Sequence, residues 1–207
     1  MRMLSILMLL LPSPVLGQRL IVPQSKQPLP APDISDAVVI IERGTGFIID
    51  GFIVTASHVV ACHNPEVKFK NGKVLKATIV LHREELDLLV LKVDGPLPKG
   101  LRWGDAAKAG DRVSFIGHPQ FDKRSYPWSH SSGVVSAVGR TVPMPTGQKI
   151  AGMIQLDANV NNGNSGGPLL DAAGRCIGLI VAYDASASGI GFALNGKAIE
   201  AAIAGAK

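Results

Sequence analysis

The chain is poor in cysteine, with two among 207 residues. Two thiols cannot build the disulfide framework of a small secreted domain, nor a cysteine-rich zinc site. Charged residues are also sparse, 18% of the chain. Lys and Arg outnumber Asp and Glu by 21 to 16, giving a net charge of +5 and a pI near 9.4. No basic run accompanies that excess. It reads as a mildly basic surface and lacks the clustered footprint of a nucleic-acid binder, so no nucleic-acid partner is expected. Apolar runs are short of the ~20 residues a bilayer span requires. His63, His82, His118 and His130 show no metal-ligand spacing and read as surface or structural residues; neither a metal nor a cofactor is expected.

What the chain has is apolar surface and turns. Hydrophobic residues make up 46% and the mean hydropathy is +0.25, which argues against disorder. The 23 glycines and 14 prolines are aperiodic, which excludes collagen and fits the many tight turns of an all-β protein. Residues Met1–Gly17 read as a cleaved signal peptide: Arg2 precedes the apolar stretch Met3–Leu11, Pro12 and Pro14 break any helix, and Val15-Leu16-Gly17 suits a peptidase cut before Gln18. The competing reading, a membrane anchor, fails on length. Export to the periplasm or the medium is expected, with no stable membrane span after cleavage. Gln18–Asp36, with Pro23, Pro28, Pro30 and Pro32, reads as an extended lead-in.

From residue 37 onward short β-rich runs alternate with turn signals. Gly46–Ile49 and Phe52–Thr55 flank Asp50-Gly51, and Val67–Lys70 and Lys73–Leu81 flank Asn71-Gly72; both dipeptides favour the left-handed turns of hairpins. Leu86–Val93 is a mostly apolar run that includes Asp87 and Lys92. After a turn-rich connector, a second series follows: Arg112–Ile116, Gly133–Val138, Lys149–Asp157, Pro168–Leu170, Cys176–Tyr183 and Gly189–Leu194. Two such sets predict an all-β domain over 37–207 of two antiparallel six-stranded β-barrels, one over about 37–95 and one over about 112–207, joined by a linker over about 96–111. Only the end reads as helix: Asn195 caps Gly196–Ala204, whose Ile199, Ala202 and Ile203 share a face, and Gly205 stops it.

Three segments carry chemistry. In Gly163-Asn164-Ser165-Gly166-Gly167-Pro168, glycines let the backbone bend so that the N–H groups of Gly163 and Ser165 converge on one oxyanion. Alone, this is equally a loop between strands. His58 ends the apolar run Ile53–Ala56, and Asp87 opens Leu88–Val93. Each alone is more often structural. A half-buried aspartate is costly without a partner, however, and an imidazole N–H is a suitable one. The chain order His58, Asp87, Ser165 is that of the chymotrypsin-type triad, with the first two in one strand set and the serine in the other.

Gly44-Thr45-Gly46-Phe47-Ile48-Ile49, Ile53-Val54-Thr55, His58-Val59-Val60, Asp87–Val93, Ser132–Ala137, Gln155–Ala158, Gly163–Leu169 and Ile190–Ala193 together resemble trypsin-like serine peptidases of the HtrA/Deg branch. The resemblance runs from about Val38 to the C-terminal helix. It implies a double-barrel serine endopeptidase acting on polypeptides, with His58 as base, Asp87 orienting it, Ser165 as nucleophile and the Gly163 and Ser165 amides as oxyanion hole. Members of that branch usually carry PDZ domains after the protease; here the sequence stops after one helix, so a protease domain without PDZ is expected. Asn164 precedes the serine and no Ile-Val-Gly-Gly start is present, so activation by a new N-terminus is not expected. Gln18–Asp36 lacks the aromatic cluster that holds family trimers together, and no oligomeric state is assigned. Cys62 and Cys176 fall in different barrels, which argues against the disulfide that export would permit. By the same resemblance, Asn159 forms the base of the specificity pocket and Val181, Ala182, Tyr183 and Gly191 its walls. Those walls carry no charge, so small to medium aliphatic residues are expected before the cut bond. Two alternatives use the same residues differently: a weakly active protease-shaped binding or chaperone-like module, and an esterase.

Overall fold

Two turns of the Asx-Gly type set the first half of the chain, as their sequence predicts. In the computed structural model, which describes residues 34–121, 124–144, 147–183 and 189–205, a 3-10 turn at Ile34–Ala37 leads into β1 (Val38–Ile41), β2 (Gly44–Ile49) and β3 (Phe52–Ala56), with Asp50-Gly51 between the last two. Asn71-Gly72 separates β4 (Glu66–Lys68) from β5 (Val74–Arg83), and β6 (Leu88–Val93) follows. These six strands close into a barrel in the order β1-β2-β3-β6-β5-β4. Closure leaves no exposed sheet edge to pair with another chain. The signal-peptide reading, and the lead-in up to residue 33, lie outside the described residues.

The second series is β7 (Arg112–Gly117), a small hairpin of β8 (Gln120–Phe121) and β9 (Arg124–Ser125), then β10 (Ser129–Pro143), β11 (Lys149–Asp157), β12 (Pro168–Leu170), β13 (Cys176–Tyr183) and β14 (Ile190–Asn195). Apart from the β8–β9 hairpin it closes into a second barrel, in the order β10-β11-β14-β13-β12-β7. The chain ends in α1 (Gly196–Ala204), where the Asn195 side chain accepts a hydrogen bond from the Lys197 N–H. Replacing that cap by alanine is expected to cost ~1 kcal/mol. Ile199 and Ile203 are fully buried beneath the helix, each contributing roughly 1.5–3 kcal/mol of transfer free energy.

The barrels share one apolar core. Val142, Ile150 and Met153 of β10 and β11, and Leu179 and Val181 of β13, belong to the same buried cluster as Phe47, Val54 and Leu91 of the first barrel. A separate cluster around Phe115, Ile154, Leu156 and Ile180 fills the second barrel alone. Hydrogen bonds stitch the seam as well: Trp128 Nε1 donates to the Val38 carbonyl at 3.1 Å, and Gln148 Nε2 to the Glu84 carbonyl at 2.9 Å. The two cysteines are free, Cys62 exposed and Cys176 buried. Burial pushes the Cys176 thiol up to about 12, so it stays protonated and inert. Among the described residues no helix is long and apolar enough to cross a membrane.

Three local details differ from the sequence expectation. Val38–Ile41 is a strand in its own right, paired to both β2 and β4. Glu84–Leu86 forms a 3-10 turn, so β6 begins at Leu88 rather than Leu86. β10 extends well beyond Gly133–Val138 in both directions because its polar start, Ser129–Ser132, pairs with β7.

Candidate active site

Asp87 stands between a turn and a strand. It caps the 3-10 turn Glu84–Leu86 in the left-handed region, at φ +52, a conformation aspartate tolerates better than most side chains. It is 7% exposed, and burying an ionised carboxylate requires compensating donors. Three are supplied: the Ser57 hydroxyl at 2.7 Å, the His58 backbone N–H at 2.9 Å, and the His58 ring Nδ1 at 2.5 Å. The Asp87 carbonyl also accepts the Ser57 N–H at 2.9 Å. Two consecutive residues at the end of β3 thus grip both ends of one aspartate.

His58 sits in the 3-10 turn Ser57–Val59, just beyond β3. Its Nδ1 edge is engaged with Asp87, and its side chain is 43% exposed. With Nδ1–H directed at the carboxylate, the neutral ring carries its lone pair on Nε2, at the accessible edge. An oriented imidazole of this kind is what general-base chemistry requires.

Ser165 lies on the loop between β11 and β12, and its hydroxyl donates to the Val181 carbonyl of β13 at 3.1 Å rather than to the His58 ring. The backbone of this loop is ordered peptide by peptide. The Asn162 carbonyl accepts the Gln120 N–H at 2.9 Å, and the Asn164 carbonyl accepts the Gly167 N–H at 3.0 Å. The Gly163 carbonyl accepts the Thr45 hydroxyl at 2.7 Å. In a trans peptide the C=O and N–H point to opposite sides. Anchoring the carbonyls of 162 and 164 therefore turns the N–H groups of Gly163 and Ser165 the other way, and neither has an acceptor among the described residues. Gly163 has φ +89, and a Cβ there would overlap the His118 carbonyl; Gly166 has φ +85, and a Cβ there would overlap the Thr45 carbonyl. Only glycine fits either position.

The two halves meet at Gly44. A Cβ on that residue would lie 2.8 Å from both the Ser165 carbonyl oxygen and the side chain of Val59, the neighbour of His58. The Thr45 N–H then donates to the Ser165 carbonyl at 2.9 Å. His58, Asp87 and the Ser165 loop, far apart in sequence, are brought to one seam between the barrels. Asn164, where a charged residue would be costly, is neutral and 2% exposed, packed against Gly117.

Of the residues expected to form a specificity pocket, Val181 reaches the serine loop, its carbonyl accepting the Ser165 hydroxyl. Val181, Ala182 and Tyr183 are consecutive on β13, and Gly191 pairs with Tyr183 across to β14. Asn159 is exposed, six positions before Ser165. Val160 beside it is buried, and a Cβ on Gly191 would overlap its side chain. Sequence reasoning missed Val160, Ser57 and the roles of Thr45 and Gln120. Thr45 and Thr55 stood inside the motifs that carry the resemblance, but no local signal marks a hydroxyl whose partner is 118 residues away.

His63, His82 and His130 are exposed, and His118 is buried. Among the described residues no group of three or more His, Cys, Asp or Glu side chains could hold a metal ion. His118 accepts the Trp128 N–H on Nδ1 at 3.0 Å, and its ring meets the Trp128 ring edge-on at 5.0 Å. Its buried Nε2 has no hydrogen-bond partner among the described residues, and burial pushes its pKa down to about 4. A surface hollow of about 580 Å³ lined by Ile34, Lys99, Arg102 and Arg175, among others, touches no residue of the seam.

Comparison with known proteins agrees with the double-barrel fold. The family model of the trypsin-like peptidase domain matches residues 44–179. A Rickettsia conorii protein named "Probable periplasmic serine endoprotease DegP-like" is 34% identical over 177 residues, covering 81% of this chain and 34% of its own. The chloroplastic "Protease Do-like 5" of Arabidopsis thaliana is 35% identical over 174 residues, covering 73% of this chain and 53% of its own. The chain thus spans about a third of the bacterial relative and half of the plant one. Among solved structures, a protease from M. tuberculosis in its active form superposes with a TM-score of 0.73 at 25% identity, covering 83% of this chain and 81% of that one. A serine endoprotease from Yersinia pestis gives 0.70 at 28% identity, covering 84% of this chain and 63% of that one. The chain belongs to the trypsin-like peptidase family, as an HtrA/Deg-like protease domain.

Proposed function

We propose that the protein is an exported serine endopeptidase that hydrolyses peptide bonds through an acyl-enzyme. The observation that carries this reading is the pairing of an Asp87-held imidazole with a serine loop whose Gly163 and Ser165 amides have no acceptor among the described residues. The Ser165 oxygen attacks the substrate carbonyl carbon while His58 Nε2 takes its proton. Asp87 holds the ring and stabilises the imidazolium. The two amides bind the oxyanion, and His58 returns the proton to the leaving amine. Water then repeats the sequence to release the acid. Export rests on the character of Met1–Gly17 and on the periplasmic name of the bacterial relative.

The side chain preceding the cut bond is proposed to be small or medium aliphatic (Val, Ala, Leu or Ile). Val160 supports this, because its side chain occupies the space that Gly191 opens. Asn159 and the backbone of Val181, Ala182 and Tyr183 complete an uncharged site. Ser165→Ala is expected to abolish both peptide cleavage and labelling by a fluorophosphonate probe, and persistence of both would overturn the assignment. A peptide-library profile dominated by Lys, Arg or Glu at that position would overturn the pocket.

One observation favours a second reading, a protease-shaped binding module of low activity: the Ser165 hydroxyl rests on the Val181 carbonyl. Apo sites commonly tighten their catalytic hydrogen bonds only with substrate bound, and this keeps the first reading ahead. Stoichiometric labelling of the purified chain by the probe decides between them.

A further inference from the structure

Thr45 uses all three of its hydrogen-bonding groups at the seam. Its N–H donates to the Ser165 carbonyl at 2.9 Å. Its hydroxyl donates to the Gly163 carbonyl at 2.7 Å, and its carbonyl accepts the Thr55 hydroxyl at 2.7 Å. Thr45 and Thr55 are both fully buried. The two donors of Thr45 thus land on alternate carbonyls of the serine loop, as a neighbouring strand would, except that one donor is a side chain. The carbonyl of Thr45 is pressed against Gly166, where only a glycine fits.

The Gly163–Asn164 peptide is held at both ends: its N–H donates to the Asn161 carbonyl at 3.0 Å, and at its carbonyl the contact other than Thr45 is weak. The His118 N–H reaches it at 3.4 Å, near the limit at which a hydrogen bond counts. The Gly163 carbonyl belongs to the peptide that separates the Gly163 N–H from the Ser165 N–H. Its orientation therefore fixes the angle between the two amides.

We propose that Thr45 is a positioning residue of the oxyanion site: its hydroxyl, supplied by the first barrel, holds the Gly163–Asn164 peptide of the second in the orientation that aims both amides at one point. The chain Thr55 to Thr45 to Gly163 begins three residues before His58, so the strand that carries the base also sets the oxyanion donors. This rests on the reading of Ser165 as nucleophile with Gly163 and Ser165 as oxyanion donors. It predicts that removing the hydroxyl harms transition-state stabilisation and leaves substrate binding alone.

The test compares Thr45→Val, which keeps the shape and removes the donor, with Thr45→Ser, which keeps the donor. Active sites are counted by fluorophosphonate labelling carried to completion, so that misfolded protein drops out, and kcat is expressed per labelled site. For Thr45→Val, kcat per site is expected to fall roughly tenfold to a hundredfold, less than the ~10²–10³ seen when an oxyanion donor itself is removed. KM stays within about twofold, since uniform binding is untouched. Thr45→Ser is expected to stay near the parent. Affinity for a peptide boronate, which mimics the tetrahedral state, should fall in parallel with kcat. A Thr45→Val enzyme with parental kcat per site and boronate affinity overturns the proposal. If Thr45→Val does not fold, Thr45→Ala is compared with Thr45→Ser on the same readouts, and equal values overturn it. Ser165→Ala, run alongside, tests the underlying reading separately: retained cleavage there removes the catalytic assignment, whereas a dead Ser165→Ala beside a parental Thr45→Val removes only the positioning role.

Discussion

His58 and Asp87 stand 29 residues apart on one barrel and hold each other directly, whereas the orientation of the Ser165 loop depends on donors from other strands, one of them 118 residues away. The first half is a rigid pair: one carboxylate receives three donors, all from two adjacent residues. The second is a glycine-rich segment with turn bonds of its own, from Asn164 to Asn161 and from Gly167 to Asn164, that is also held from outside by Thr45 of β2, Gln120 of β8 and Val181 of β13. Damage to the first half should therefore remove chemistry while leaving the fold, and damage to the second should cost both.

The largest separation is expected from Asp87→Asn. The amide keeps the shape but favours the wrong imidazole tautomer, and kcat should fall roughly 10⁴-fold with little change in melting temperature. A comparable loss of stability would show that the pair is structural as well as catalytic.

Gly166→Ala acts on the other half. The left-handed backbone and the overlap with the Thr45 carbonyl together predict a cost of roughly 3–5 kcal/mol, read as a drop in melting temperature of roughly 10 °C. Near-parental melting would mean that the seam yields to the loop.

The third prediction uses acid. His118 is pushed down to about 4 from the ordinary 6.5 by burial, so the unfolded chain takes up its proton first. Its contribution is fully present above pH 6.5 and is lost as the pH falls toward 4. The loss is about 1.4 kcal/mol per pH unit in that window, about 3 kcal/mol in all. His118→Asn, which offers the Trp128 N–H an acceptor without titrating, is expected to flatten that slope in denaturant titrations between pH 7 and pH 4. An unchanged slope would assign the acid sensitivity elsewhere.

The smallest effect is expected from Ser57→Ala, which removes one of three donors to Asp87. A loss of about threefold to tenfold in kcat/KM, near 1 kcal/mol, would place the hydroxyl as a support of the pair. A loss above a hundredfold would make the first half as dependent on its surroundings as the second.

The same contrast explains what the sequence makes legible. Strand ends and Asx-Gly turns are local signals, so the two hairpins and the C-terminal helix fall where the pattern puts them. His58, Asp87 and Ser165 are each ambiguous alone, and it is their chain order taken together that motivates the triad proposed above. The turn at Glu84–Leu86 was hidden because Leu86 continues an apolar run, while the αL backbone of Asp87 is set by its partners at Ser57 and His58. Val160 was hidden for a packing reason: Gly191 reads as open space until the neighbouring side chain is seen filling it.

The Thr45 to Gly163 hydrogen bond closes a loop of 118 residues. Contacts between residues so far apart in sequence are slow to form, because loop closure must be met before they stabilise anything. His58 and Asp87, 29 residues apart on one barrel, close a short loop, whereas the glycine loop has nothing to dock on until the two barrels, which share one apolar core, have met. Competence for chemistry then arrives with the last large event of folding, the meeting of the two barrels. On the function proposed above, a partly folded chain would hold the base against its carboxylate before any oxyanion site is shaped.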